Sequence, residues 1–142
     1  MKNVLLPFDG SEAAIRALEY VIGVKQGGSS VSVHLLNVQE APRIFGDYAS
    51  ADLLEKLNRG ARAQGQEINS RAAKILTDND VPFTVHEAIG EVSQTIAEAA
   101  DEFGCDTIIM GTRGMTNLAN LMMGSVATRV VHEASVPVLL VK

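Results

Sequence analysis

Three glycines and a serine near the end of the chain carry the most legible chemistry: Gly111, Gly114, Gly124 and Ser125 form a Gly-x2-Gly-x9-Gly-Ser array. Glycine lacks a Cβ, so its main-chain amides can come close to anionic oxygens, and it accepts the positive φ of a tight turn. Gly111, Gly114 and Gly124 are expected to take such turns. The array follows the apolar run Thr107-Ile108-Ile109-Met110 and precedes a helical stripe of Val126, Val130, Val131 and Ala134. It therefore joins a strand to a helix. The first-turn N–H groups of that helix, on Ser125, Val126 and Ala127, have no intrahelical acceptor and lie at the positive end of the helix dipole. The Ser125 hydroxyl adds a donor, and Arg113 within the loop either pairs with phosphate or stays solvated. The spacing and its strand-to-helix context point to a bound phosphate group.

Other chemistries find less support. His34, His86 and His132 stand at no metal-ligand spacing, and the first two alternate within strand-like runs, so all three read as structural or solvated. The single cysteine, Cys105, reads as a small packing residue. There is no Gly-x4-Gly-Lys-Ser/Thr loop, no Gly-x-Gly-x-x-Gly after the first strand and no Gly-x-Ser-x-Gly elbow. The net charge is −5 with no basic run, which removes the electrostatic footprint of a nucleic-acid binder. No run approaches the roughly 18–20 apolar residues of a membrane span, and Asp9 follows the start too closely for a leader. A cytoplasmic protein without membrane insertion is expected. With 142 residues, 46% of them apolar, residues 1–142 are expected to form one domain.

The elements that must position the glycine array alternate along the chain. Asn3–Phe8 is an apolar run without polar alternation, ending at Asp9-Gly10, as expected of a strand covered on both faces. Ser11 is an N-cap for a helix through Ala14, Leu18, Val21 and Ile22 that stops at Gly27-Gly28. A strand at 31–38 ends near Val38, and a loop containing Pro42 and Gly46 follows. Next come a long helix from about Ser50 to Thr77, a strand at 82–88, a helix from Val92 closed by Gly104, and a strand over 107–110. After the glycine array come the last helix and a strand from Val136 to Val141. This strict alternation demands parallel pairing and an open α/β sheet, whose ligand crevice opens where the winding reverses.

The glycine array, Val4-Leu5-Leu6-Pro7-Phe8-Asp9-Gly10-Ser11-Glu12 and the ending Pro137-Val138-Leu139-Leu140-Val141 together resemble the universal stress protein family, over the whole chain. The spacing is similar to that of its ATP-binding subgroup. The resemblance implies a three-layer, open five-stranded parallel sheet of order 3-2-1-4-5 with helices on both faces, Rossmann-like and of the adenine nucleotide alpha hydrolase-like kind. It also implies ATP as ligand, with Asp9 beside ribose and phosphates, Pro7 and Val38 framing the adenine, and Met110 walling the pocket. Magnesium or manganese would ride on the phosphates. A homodimer through the strand Val136 to Val141 and an unidentified regulated protein are the partners it implies. The expected role is a nucleotide-dependent regulator in stress response, not an enzyme. Slow ATP hydrolysis or phosphoryl transfer at the same site is the alternative.

Overall fold

In the computed structural model, which describes residues 1–41, 50–112 and 123–142, five strands and four helices alternate. The strands are β1 (Asn3–Pro7), β2 (Ser32–Gln39), β3 (Phe83–Ile89), β4 (Thr107–Gly111) and β5 (Val138–Val141). The helices are α1 (Glu12–Gln26), α2 (Ala51–Asp78), α3 (Val92–Glu102) and α4 (Ser125–Glu133). All pairings are parallel and the order is β3-β2-β1-β4-β5, as expected. The last strand begins later than its apolar run. Pro137 has no N–H to give the ladder, so it enters only through its carbonyl, which accepts from the Ile108 amide at 2.9 Å.

Alternate residues of the central strands feed two cores. Val4, Leu6, Val33, Leu35 and Ile109 pack toward α1 and α2, while Leu5, Leu36, Ile108 and Met110 pack toward α3 and α4. Most of these side chains are fully buried, which explains why β1 and β4 read as unbroken apolar runs. The winding reverses between β1 and β4. These two strands share only the positions Val4–Thr107 and Leu5–Ile108, whereas β1 and β2 stay in register from Asn3–Ser32 to Pro7–Leu36.

Helix α2 is longer than the strands it covers. Its 28 residues reach about 42 Å, against about 26 Å for the eight residues of β2. Its buried residues, Gly65, Asn69, Ala72 and Leu76, all belong to the second half. The first half exposes Leu53, Leu54 and Leu57 and is held locally, by the Ser50 cap on Leu53 N and the Glu55–Arg59 pair at 3.0 Å. Among the described residues, no helix is long and apolar enough to cross a membrane.

At the opposite end of the sheet, Asp106 clamps the start of β1 to that of β4. Its Oδ2 accepts from the amides of Lys2 and Asn3 at 2.8 and 2.9 Å, and its own amide donates to the Asn3 carbonyl. The Asn3 amide above all, then those of Lys2 and the Thr107 hydroxyl, hold the Asp106 carboxyl below the usual carboxylate range. A depressed native value means a stability contribution that is complete above the unfolded value of about 3.9 and lost as pH falls through the native one. Asp106→Asn should therefore be less stable than the parent in urea at pH 7, with the gap closing as the pH is lowered past the usual carboxylate range. A gap independent of pH would contradict the clamp.

Candidate functional site

Where β1 and β4 part, their C-terminal ends border a cavity of about 340 Å³. Pro7, Phe8 and Asp9 enter it from the end of β1, and Leu36 and Val38 from β2. Met110, Gly111 and Thr112 face them from β4, with Gly124, Ser125, Val126 and Ala127 at the start of α4. Sequence reasoning missed the contributions of two helices. Val92 and Ile96 of α3 form an apolar wall, and Ser11 and Ala14 of α1 close one side. The α3 residues look in sequence like any helical core stripe, and nothing local distinguishes a stripe that faces a crevice. Of the ten residues singled out, Pro7, Asp9, Val38, Met110, Gly111, Gly124, Ser125 and Val126 border this one cavity. Arg113 and Gly114 lie outside the described residues.

The helix starts around the cavity differ in how their amides are satisfied. Ser11 Oγ accepts from Ala14 N at 3.1 Å, and Glu91 accepts from Gln94 N at 2.7 Å and from Ser93. These bonds, that of Gln94 foremost, hold the Glu91 carboxyl below its ordinary value. Helix α4 has no such cap. Its N-cap is Gly124, which offers no side chain, and its first helical bond runs from Thr128 N back to the Gly124 carbonyl at 3.0 Å. Ser125, Val126 and Ala127, whose amides precede that bond, border the cavity. The Gly124 amide is already used, donating to Thr112 O and tying the end of β4 to the start of α4.

Two of the glycines serve another purpose than expected. Neither Gly111 nor Gly124 is among the described residues with positive φ, and Gly124 sits at φ −60°, ψ 156°, which any residue adopts. Gly111 is required by close approach instead. A Cβ there would stand 2.5 Å from Ala13 Cβ and 2.6 Å from the Ala13 carbonyl, so its absence lets the end of β4 press against the first turn of α1. The positive φ falls at Gly10, at +80°. There Asp9 Oδ1 accepts from Ser11 N at 2.9 Å, which makes the turn, while the exposed carboxylate borders the cavity.

The histidines lie elsewhere. His34 Nδ1 and His86 Nε2 meet at 2.9 Å, and the His86 ring stacks on Phe103 with centroids 3.8 Å apart. Burial, with the neighbouring His34, pushes the His86 pKa down, which favours its neutral ring. A second hollow beside this stack, about 450 Å³, is rimmed by Glu87, Glu98 and Glu102, whose charge opposes an anion. The first cavity carries a single carboxylate, Asp9, among the described residues. Among the described residues no three His, Cys, Asp or Glu side chains converge as a metal site. Cys105 is buried, and burial raises its thiol pKa to about 11, consistent with a packing role.

An open parallel sheet with a crevice at the reversal of its winding, bordered by glycine and a helix start without a side-chain cap, defines a doubly wound α/β protein. The family model for the universal stress protein family matches residues 1–142, and the chain belongs to that family. It is 32% identical to universal stress protein MJ0577 of Methanocaldococcus jannaschii, over 99% of this chain and 94% of that one. The solved structure of MJ0577 superposes with a TM-score of 0.83 at 29% identity, covering 99% and 95% of the two chains. The universal stress protein of Archaeoglobus fulgidus in complex with dAMP matches at TM-score 0.67 and 24% identity, covering 100% and 98%. A family member from Arabidopsis thaliana with AMP bound matches at 0.72 and 19%, covering 100% and 92%. These last two likenesses are of fold.

The two glycines at the ends of the array should respond differently to a methyl group. Gly111→Ala forces a methyl group against the Ala13 carbonyl and Cβ and should cost about 1–3 kcal/mol. Gly124→Ala meets no conformational barrier and should cost less than about 1 kcal/mol. Urea denaturation of both variants checks this, and equal costs would refute the close-approach account of Gly111.

Proposed function

We propose that residues 1–142 form one universal stress protein domain that binds ATP in the crevice and acts as a nucleotide-dependent regulator in the cytoplasm. The observation that carries the reading is the start of α4 without a side-chain cap, whose first-turn amides have no acceptor among the described residues and whose residues border a largely apolar cavity within the size range of small-molecule sites. Those amides and the Ser125 hydroxyl would hold phosphate oxygens, with Gly111, Arg113 and Gly114 completing the cradle. Asp9 would stand by the ribose. Pro7, Val38 and Met110 would frame the base, the Val38 backbone offering hydrogen bonds to its edge. The fit to a whole adenine nucleotide, rather than to phosphate alone, rests on the apolar wall of Val92, Ile96 and Met110 next to the anion-binding end. The adenine nucleotides on the Archaeoglobus and Arabidopsis proteins support the same choice. Magnesium or manganese would be held mainly by the phosphates, which need few protein ligands for such an ion.

Binding is favoured over turnover because phosphoryl transfer needs a positioned base or a lysine on the leaving phosphates. Among the described residues bordering the cavity, Asp9 is the one charged side chain, and it is engaged in the Gly10 turn. Calorimetry should show ATP binding to the parent and at least about tenfold weaker binding to Ser125→Asp. That acid favours a helix N-terminus, so folding should be preserved while the phosphates are repelled. Equal affinity would overturn the assignment. Release of phosphate by the magnesium-loaded parent, above the Ser125→Asp level, would favour the hydrolytic alternative.

The regulatory output would pass through a homodimer. Strand β5 pairs with β4 on one side, and all four of its residues are only half-buried. Its other edge carries backbone groups suited to a second copy of the strand Val136 to Val141. Multi-angle light scattering should give a two-chain particle at micromolar concentration. A monomer there would count against the dimer.

A further inference from the structure

The polar side chain of Asn37 is 98% removed from solvent in a strand otherwise apolar at its centre. It faces α2, on the opposite side of β2 from the cavity-lining Leu36 and Val38. Burial without partners would be costly, and Asn37 has partners at both ends of its amide. Its Nδ2 donates to the Phe8 carbonyl at 2.9 Å, and its Oδ1 accepts from Gln39 Nε2 at 2.8 Å. The Phe8 amide donates to the Leu36 carbonyl at 2.8 Å, so Phe8 is held on both sides of its peptide by consecutive residues of β2. Immediately after Phe8 come Asp9 and Gly10, the turn at the mouth of the crevice.

The space for this amide is provided by a glycine far away in sequence. A Cβ at Gly65 of α2 would stand 2.8 Å from Asn37 Oδ1, inside any ordinary contact. One turn further along α2, Ile68 lies 3.7 Å from the position of a Cβ on Gly10. Two successive turns of α2 therefore lie beside the Asn37 amide and beside the Gly10 turn that follows Phe8. Neither Asn37 nor Gly65 borders the cavity.

We propose that Asn37 is a positioning residue for the nucleotide site, fixing the Phe8–Gly10 turn against the end of β2, and that Gly65 keeps its amide in place. The inference rests on the reading of the crevice as an ATP site. Asn37 touches no ligand in this account. It sets the distance between the Asp9 side of the crevice and Val38, one residue along β2, which would frame the base.

Two variants disturb the amide in independent ways: Asn37→Leu removes both its hydrogen bonds while keeping the number of side-chain heavy atoms, and Gly65→Ala pushes it with a methyl group. The second raises helix propensity, so its local effect on α2 alone is favourable. Leu76→Ala is the control, a fully buried position on α2 that does not border the cavity. ATP affinity is read by calorimetry at a temperature where circular dichroism shows each protein folded. Asn37→Leu should bind ATP about tenfold more weakly and Gly65→Ala about threefold, the range of one hydrogen bond. Leu76→Ala should lower the melting temperature and leave affinity at the parental value. Parental affinity in Gly65→Ala overturns the proposal, even if Asn37→Leu does not fold. So does a loss of affinity in Leu76→Ala equal to that of the Asn37 and Gly65 variants. A parent protein that gives no binding with ATP overturns the reading of the crevice itself, together with this inference.

Discussion

Beyond Leu5 and Ile108, strands β1 and β4 stop pairing, and much of the remaining architecture follows from that separation. Parallel strands joined by right-handed crossovers can cover both faces of a sheet only if the winding reverses once. At the reversal two strand ends have helices leaving toward opposite faces, and the space between them is filled by no connection. Here α1 leaves β1 for one face and α4 follows β4 on the other. The gap therefore lies between two strand ends, and its depth is set by how far the strands run past their last shared pair.

Keeping such a gap open requires dense packing just behind it. The end of β4 lies so close to the first turn of α1 that Gly111 and Ala13 leave no room for another carbon. On the other bank, the Phe8 peptide is fastened to β2 from its amide and its carbonyl. The rigid elements thus lie beneath the crevice, and the free hydrogen-bonding capacity lies at its rim, on the uncapped first turn of α4. Preorganised amides of this kind need little rearrangement to meet an anion, which favours affinity.

The sequence conveyed the alternation of elements, because apolar runs and helical stripes are local patterns, and Ser11 and Ser50 marked helix starts by a bond spanning three residues. It also placed the glycine array between β4 and α4. The role of Gly111 was not legible, since the reason for that glycine is Ala13, nearly a hundred positions away. Asn37 likewise reads as an interruption in an apolar strand, and its meaning depends on Phe8 and Gly65. Val92 and Ile96 have the spacing of ordinary core residues, and only the position of α3 beside the opening puts them at the cavity. Boundaries shifted where backbone chemistry intervened, as at Pro137.

The unequal burial of α2 has a mechanical consequence. Its second half is clamped to β2 and β3 through Gly65, Asn69, Ala72 and Leu76, while the first half makes no comparable contact among the described residues. The arm from Gly65 to the helix start is about 21 Å long. A tilt of about ten degrees at Gly65 would carry its tip through roughly 4 Å, with the length set by the helical rise. A displacement too small to disturb the sheet is thus magnified into one the size of a side chain, at the exposed leucines Leu53, Leu54 and Leu57.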